Sequence, residues 1–160
     1  MILKQAQKIF SKFNDIKYGF LDKSGKLHCE TDVDFWQNFM KDYVLQTPEQ
    51  VLRNKIGVCW DQVELSRKFF ADEGIPVKTF FLCCQNETLP AHVVLTFEDG
   101  KKFYWIETSM VGYIGIHTYN YEKELISGLL NADFSSFCRN YNKDKLYLVE
   151  YQQPKYGIVL

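Results

Sequence analysis

Residues 91–108, AHVVLTFEDGKKFYWIET, form the segment that most constrains the fold of this chain. Two runs rich in β-branched and aromatic residues, which favour strands, flank the pair Asp99-Gly100. Asp-Gly is typical of a two-residue hairpin loop, in which both positions need a positive φ. The segment therefore predicts two antiparallel strands joined by a tight turn. Apolar residues occur at odd and even positions alike, so we expect the hairpin to be buried on both faces.

The register of this hairpin decides which side chains meet. If Glu98 and Lys101 close the loop, His92 lies directly opposite Glu107, on the same face and with Cβ atoms roughly 4.5–5.5 Å apart. A carboxylate there can accept a hydrogen bond from one imidazole nitrogen, fixing the tautomer and stabilising the imidazolium. A bulge or a three-residue loop would shift the pairing by one residue and send Glu107 to the other face. We expect no such shift.

The rest of the chain predicts an α+β domain. Apolar spacing, together with the residues that begin and end helices, predicts helices within residues 2–14, 32–45, 47–57, 59–72 and 121–131. Alternation and turn residues predict a small hairpin over 16–29 and strands over 77–84, 92–98, 102–108 and 145–151. Helices followed by mostly antiparallel strands are typical of the α+β class. The sequence contains no repeat or linker, which predicts one domain over residues 1–160.

Cys59 follows Gly57-Val58 at the point where a loop is predicted to become a helix. Free N–H groups and the positive end of the helix dipole at such a position favour a thiolate. A cysteine nucleophile needs a base, and that base needs an orienting group; His92 and Glu107 are available for these roles. Each of these residue types taken alone is more often structural. Together the three predict a Cys–His–Glu catalytic triad.

Two segments of the chain resemble the transglutaminase-like, papain-related superfamily. GVCWDQVELSRKFFADEGIPVKTFFL is similar to that family's Gly-x-Cys motif, which opens a helix ending near Gly-Ile-Pro before a strand. AHVVLTFEDGKKFYWIETS is similar to its next two strands, with a histidine and then an aromatic residue followed two positions later by an acid. The resemblance spans roughly residues 47–110. It implies that Cys59 is the nucleophile, His92 the general base and acid, and Glu107 the orienting carboxylate, where the family usually has Asp.

The activity that this resemblance implies is attack of the Cys59 thiolate on an amide carbonyl of a peptide or protein substrate, giving a thioester. Water would complete hydrolysis and an amine would complete acyl transfer; the sequence leaves both open. The Cys59 N–H would hold the oxyanion with a second, upstream donor, for which Trp36, Gln37 and Asn38 are the candidates. The alternative is a non-catalytic module that binds a peptide or partner protein on the same fold.

Composition excludes several other classes of protein. The 19 basic and 20 acidic residues are mixed along the chain and give a net charge of −1, so we expect no nucleic-acid partner. No stretch is typical of a signal peptide or a membrane span, so we expect no membrane association. Five cysteines without scaffold spacing predict free thiols in the cytoplasm.

The remaining cysteines and histidines predict no metal or cofactor site. Cys83 and Cys84 are adjacent on a predicted strand, and with His92 they lack the paired spacing of zinc ligands. We expect His28 to be exposed. His117 is expected to be structural, or else to line a substrate groove.

Overall fold

A computed structural model of the protein describes residues 1–137 and 141–158. Within these ranges the chain forms five α-helices: α1 Ile2–Ser11, α2 Phe35–Asp42, α3 Pro48–Asn54, α4 Cys59–Asp72 and α5 Glu122–Asn131. Its strands are β1 Gly19–Asp22, β2 Leu27–Cys29, β3 Tyr43–Val44, β4 Val77–Cys84, β5 His92–Glu98, β6 Phe103–Glu107, β7 Gly115–Tyr119 and β8 Leu146–Tyr151. Two 3₁₀ turns, Ser135–Phe137 and Lys143–Lys145, separate α5 from β8.

The strands form two antiparallel sheets. The larger sheet has the order β7-β6-β5-β4-β8, and the smaller has the order β2-β1-β3. Helix α4, supported by α1 and α3, packs on one face of the larger sheet, while α5 packs on the other face at β6 and β7. The α+β class is confirmed. None of the helices in the described residues combines the length and the apolar character that crossing a bilayer requires.

Local sequence explains where the central helices begin and end. The Thr47 hydroxyl accepts the Gln50 N–H at 3.1 Å and the Gln50 side chain accepts the Thr47 N–H at 2.8 Å, so a capping box opens α3. Helix α4 has the predicted bounds. It stops before Gly74, which takes a left-handed φ of 68° that favours glycine.

Helix α2 is shorter than the prediction of 32–45. Asp34, immediately before it, has a left-handed φ of 61°, and the chain becomes extended at Tyr43. Tyr43 and Val44 form strand β3 and pair with β1. A partner more than 20 residues away therefore overrides the local helical pattern at these two residues. The first helix likewise ends earlier than predicted, at Ser11.

The β5–β6 hairpin forms, but its turn lies one residue later than the sequence predicts. The Asp99 N–H donates to the Lys102 carbonyl at 3.2 Å, so the loop residues are Gly100 and Lys101. Only Gly100 takes a positive φ, of 82°. The Asp99 carboxylate accepts the N–H groups of Lys101 and Lys102 at 2.9 and 2.8 Å. This side-chain capping explains why Asp99 precedes the loop instead of forming its first residue.

Both faces of the hairpin are buried, as predicted. The residues packed toward α4 include Val93, Leu95, Phe97, Tyr104 and Ile106. Those packed toward α5 include Val94 and Trp105. The hairpin therefore lies as a layer between α4 and α5.

Candidate active site

Cys59 is the first residue of α4 and is half-buried. The loop before it is held from both sides: the Gly57 N–H donates to the Lys17 carbonyl at 3.0 Å, and the Gln62 side-chain amide donates to the Gly57 carbonyl at 2.8 Å. A Cβ atom on Gly57 would lie 3.0 Å from the Cβ of Asp61, which is closer than ordinary contact. The thiol therefore stands at a helix N-terminus on a loop with a fixed path.

A buried carboxylate, Asp61, fixes the start of this helix. Its oxygens accept the Val58 N–H at 3.0 Å, the Gln46 N–H at 2.9 Å and the Tyr43 hydroxyl at 3.1 Å. Burial raises the pKa of Asp61 to about 7, against the effect of these donors. The sequence alone does not predict this network. An acid at the third helical position, able to reach back to the residue before the helix, was the signal available.

His92 and Glu107 meet at the end of the larger sheet. The His92 Nε2–H donates to Glu107 Oε2 at 2.8 Å, and the two residues are only 1% and 3% exposed. Leu95 pairs with Ile106, so extending the register by one residue sets Glu107 beside Val94. The prediction that His92 lies directly opposite Glu107 is therefore wrong. They share a face as expected, but as diagonal neighbours.

The diagonal arrangement accounts for the longer side chain at position 107, which is glutamate and not aspartate. Diagonal neighbours lie roughly 7–8 Å apart, against about 4.5–5.5 Å for directly opposed residues. Glutamate is one methylene longer than aspartate, and it spans this gap to form a hydrogen bond of ordinary length with His92. The presence of Glu in place of the expected Asp is thus compatible with the register observed.

The second oxygen of Glu107 anchors the chain that follows β6. Oε1 accepts the N–H groups of Ser109 and Met110, each at 3.0 Å, and the Ser109 hydroxyl at 3.2 Å. Burial by itself would raise the pKa of Glu107, but the charge of His92 and these donors outweigh it and lower the pKa below its usual value. Glu107 is therefore an ionised carboxylate with a fixed orientation.

The charge state of His92 follows from its neighbours. Burial would lower the pKa of the imidazole, but the Glu107 carboxylate and the Cys59 side chain, through its charge and a hydrogen bond, raise it to about 10. Because Nε2 binds Glu107, Nδ1 is the nitrogen left to face the thiol. At neutral pH His92 is an imidazolium between two groups that favour its positive charge. The structure brings the three predicted site residues together.

Tyr18, which precedes β1, is a further site residue that the sequence alone does not predict. Its hydroxyl lies beside the backbone N–H and the side chain of Cys59, both of which influence its pKa. Burial and the charge of Cys59 raise the pKa of Tyr18 well above its usual value, so the phenol stays protonated. The Tyr18 ring lies 6.3 Å from the rings of Phe35 and Trp36. No pattern local to residue 18 indicates this placement.

The upstream donors suggested by the sequence all lie on α2. Trp36 is 51% exposed, and its ring contacts the ring of Tyr18. Gln37 is exposed and Asn38 is half-buried. The side chain that lies beside Cys59 is that of Tyr18. The assignment of the second oxyanion donor to Trp36, Gln37 or Asn38 stays a prediction.

The other histidines have structural contacts. His28 was expected to be exposed, but it is buried: its Nε2–H donates to the Asp22 carboxylate at 2.7 Å, and its ring stacks on Phe20 with centroids 4.6 Å apart. His117 stacks on Trp105 with ring centroids 4.5 Å apart, and its Nε2–H donates to the Tyr113 carbonyl at 2.6 Å. In the residues that the structure describes, no group of three or more His, Cys, Asp or Glu side chains could hold a metal ion.

The cysteines differ in oxidation state. Cys29, Cys59 and Cys83 are free thiols and each is half-buried. Cys84 is disulfide-bonded, so the expectation of free thiols is wrong for that residue. Cys138 lies outside the described residues.

No model of a known protein family matches this chain, and no curated protein is similar enough to count as a relative. The geometry around Cys59 is therefore the basis for assigning a function to the protein. That geometry contains a thiol at a helix start, a buried imidazolium facing it, and a carboxylate that holds the imidazolium in place.

Proposed function

We propose that the protein is a thiol-dependent amide hydrolase with a transglutaminase-like, papain-related core. Cys59 acts as the nucleophile, His92 as general base and acid, and Glu107 as the orienting carboxylate. The observation that supports this most directly is the buried His92–Glu107 hydrogen bond of 2.8 Å on the imidazole that also interacts with the Cys59 thiol. A peptide or protein amide is the proposed substrate.

In the first step, His92 holds the thiol proton as an imidazolium, and the Cys59 thiolate forms a bond to the carbonyl carbon of the amide. The carbonyl π electrons move to oxygen, and the oxyanion accepts the Cys59 N–H at the start of α4. The C–N bond then breaks as His92 gives its proton to the leaving amine. The products of this half-reaction are a thioester on Cys59, a free amine and a neutral His92.

In the second step, His92 accepts a proton from a water molecule as the water oxygen attacks the thioester carbon. The C–S bond breaks, the sulfur leaves as thiolate, and the imidazolium is restored. Glu107 stays ionised throughout, because its four hydrogen-bond donors all favour the carboxylate over the acid. The cycle returns the site to the ion pair from which it started.

The charges at this site favour catalysis over a purely structural role. Burying an imidazolium and a carboxylate costs several kcal/mol per ion before their attraction is counted. Apolar side chains of similar size often stabilise a core at least as much as such an ion pair does. A thiol at a helix start, half-buried beside such a pair, is a typical setting for a nucleophilic cysteine. Perturbed pKa values of this kind concentrate at functional sites.

The test is the rate of alkylation by iodoacetamide between pH 5 and pH 9, measured separately at each cysteine by peptide mass spectrometry. Cys29 and Cys83 are internal controls, since both are free, half-buried thiols. Burial raises the pKa of Cys83, so it should react only in alkaline solution. We expect Cys59 to react at pH 6 at least ten times faster than either control.

The dependence on His92 is tested with His92→Ala and His92→Gln, the second of which retains a polar group near Glu107. Both variants should lose the fast reaction of Cys59 at pH 6 while the two control thiols keep their rates. Cys59 reacting no faster than Cys29, and unchanged in both variants, would favour a non-catalytic binding module. A panel of fluorogenic peptide amides then tests hydrolysis, with Cys59→Ala as the blank.

A further inference from the structure

The Tyr18 hydroxyl occupies a position at the nucleophile that no motif in the sequence assigns. It interacts at once with the Cys59 backbone N–H and the Cys59 thiol, the two groups between which a reacting carbonyl must enter. We propose that Tyr18 is a catalytic residue of this site, whose O–H donates a hydrogen bond to the oxyanion formed when Cys59 attacks. This inference rests on the proposed function of Cys59.

The backbone holds Tyr18 in register with the nucleophile loop. Lys17 forms a parallel bridge with Ile56: its N–H donates to the Lys55 carbonyl at 2.9 Å, and its carbonyl accepts the Gly57 N–H at 3.0 Å. Tyr18 is the residue after this bridge on one side, and on the other side the chain continues through Gly57 toward Cys59. Two backbone hydrogen bonds across this contact limit how far the hydroxyl can drift from the thiol.

The residue after Tyr18 permits this close approach. A Cβ atom on Gly19 would collide with the His28 carbonyl oxygen and would lie 2.6 Å from Cγ2 of Ile56. Only a residue without a side chain allows β1 to lie between β2 and the nucleophile loop at this distance. Gly19 therefore permits the close backbone packing that brings Tyr18 to Cys59.

Aromatic neighbours hold the phenol ring itself. Phe35 and Trp36 each lie 6.3 Å from it at tilted angles, and Phe35 is only 3% exposed. A ring held by two others retains its position when its hydroxyl is removed. Tyr18→Phe therefore removes the donor and leaves the packing in place.

The hydroxyl stabilises the charge that develops on the carbonyl oxygen. In the resting site the phenol oxygen lies beside the Cys59 N–H and the Cys59 sulfur. As the S–C bond forms, negative charge moves from sulfur to the carbonyl oxygen, which accepts the Cys59 N–H. The O–H then donates to that oxygen. The proton stays on Tyr18 throughout, because its pKa is well above the usual value.

The experiment compares two reactions of the same thiol. Acylation by p-nitrophenyl acetate forms an oxyanion before p-nitrophenolate leaves, whereas alkylation by iodoacetamide displaces iodide and forms none. Removing one oxyanion donor typically costs about 10²–10³-fold in rate. We expect Tyr18→Phe to lower Cys59 acylation at pH 7 by about 10²-fold and to change alkylation at pH 6 by less than threefold. Tyr121→Phe, which removes a hydroxyl from a residue 60% exposed, is the matched control.

Each result has a distinct meaning. Equal losses in both reactions would overturn the proposal, because Tyr18 would then act on the thiolate and not on the oxyanion. Unchanged acylation in Tyr18→Phe would also overturn it, while leaving the roles of Cys59 and His92 intact. Wild-type acylation no faster than that of Cys59→Ala would overturn the proposed function itself, and Tyr18 with it.

Discussion

Shortening Glu107 by one methylene tests the diagonal geometry of the His92–Glu107 pair. A C–C bond is about 1.5 Å long, so in Glu107→Asp the carboxylate withdraws from His92 Nε2 by up to that length. The present 2.8 Å would become about 4 Å, beyond the range of an N–H···O hydrogen bond. The contacts of the second oxygen with Ser109 and Met110 would be lost or strained as well. If the two residues were directly opposed, aspartate would reach equally well.

The magnitude follows from the charge state of the imidazole. A pKa of about 10, against the usual 6.5, corresponds to about 5 kcal/mol of net stabilisation of the imidazolium, and Glu107 is the largest favourable contributor. Breaking a buried ion pair typically costs about 3–5 kcal/mol. We expect Glu107→Asp to lower the free energy of unfolding by about 3 kcal/mol at pH 7. Because the folded pKa is raised, this contribution is complete below pH 6.5 and is lost as the pH rises through about 10.

The assay is urea unfolding, followed by tryptophan fluorescence at pH 6, 8 and 10, together with alkylation of Cys59 at pH 6. The deficit of Glu107→Asp should be largest at pH 6 and shrink toward pH 10, and alkylation should slow at least tenfold. Glu107→Gln keeps the reach but removes the charge, and should slow alkylation similarly. Glu98→Asp, at the exposed end of β5, should stay within about 0.5 kcal/mol of wild type. Wild-type stability and reactivity in Glu107→Asp would refute the diagonal geometry.

Three further perturbations test other parts of the site. Gly19→Ala should push β1 away from Ile56, destabilise the fold by about 1–3 kcal/mol through overpacking, and lower the thermal unfolding midpoint; an unchanged midpoint would contradict the close approach. The rate of amide hydrolysis should fall as the pH rises through about 10, because His92 then loses the proton that the leaving amine needs. Stopped-flow pH jumps, which limit exposure to alkali, measure this rate. A hydrolysis rate that does not fall in this range would show that His92 is not the general acid. Asp61→Ala should leave three buried donors without their acceptor, lower the free energy of unfolding by about 2–4 kcal/mol and slow Cys59 alkylation at pH 6; retention of both properties would show that the helix start is fixed by other contacts.

Features that depend on local pattern could be read from the sequence. Helix α4 begins and ends where predicted because Gly57, Gly74 and Pro76 act within a few residues of its ends. The strands β4 and β5 have the predicted bounds, since alternation and flanking turn residues are also local signals. The face shared by His92 and Glu107 was likewise predictable, because it depends only on the two-residue period of a strand.

Features that depend on competition between contacts could not be read this way. The side chain of Asp99 caps its own turn and moves the loop by one residue, which changes the partner of Glu107 but not its face. Pairing with β1 converts the end of the expected second helix into strand β3. Tyr18 reaches Cys59 through a bridge between residues 17 and 56, far apart in the chain, and no local pattern encodes that contact.

The position of His92 and Glu107 at the ends of neighbouring strands links their protonation to the integrity of the sheet. Opening of the strand ends would admit water to both charges and weaken the attraction that holds the proton on the imidazole. The proton on His92 is therefore a reporter of whether this end of the sheet is closed. An imidazole resonance that titrates near its usual pKa would mark the open form, and one still protonated at pH 9 would mark the closed form.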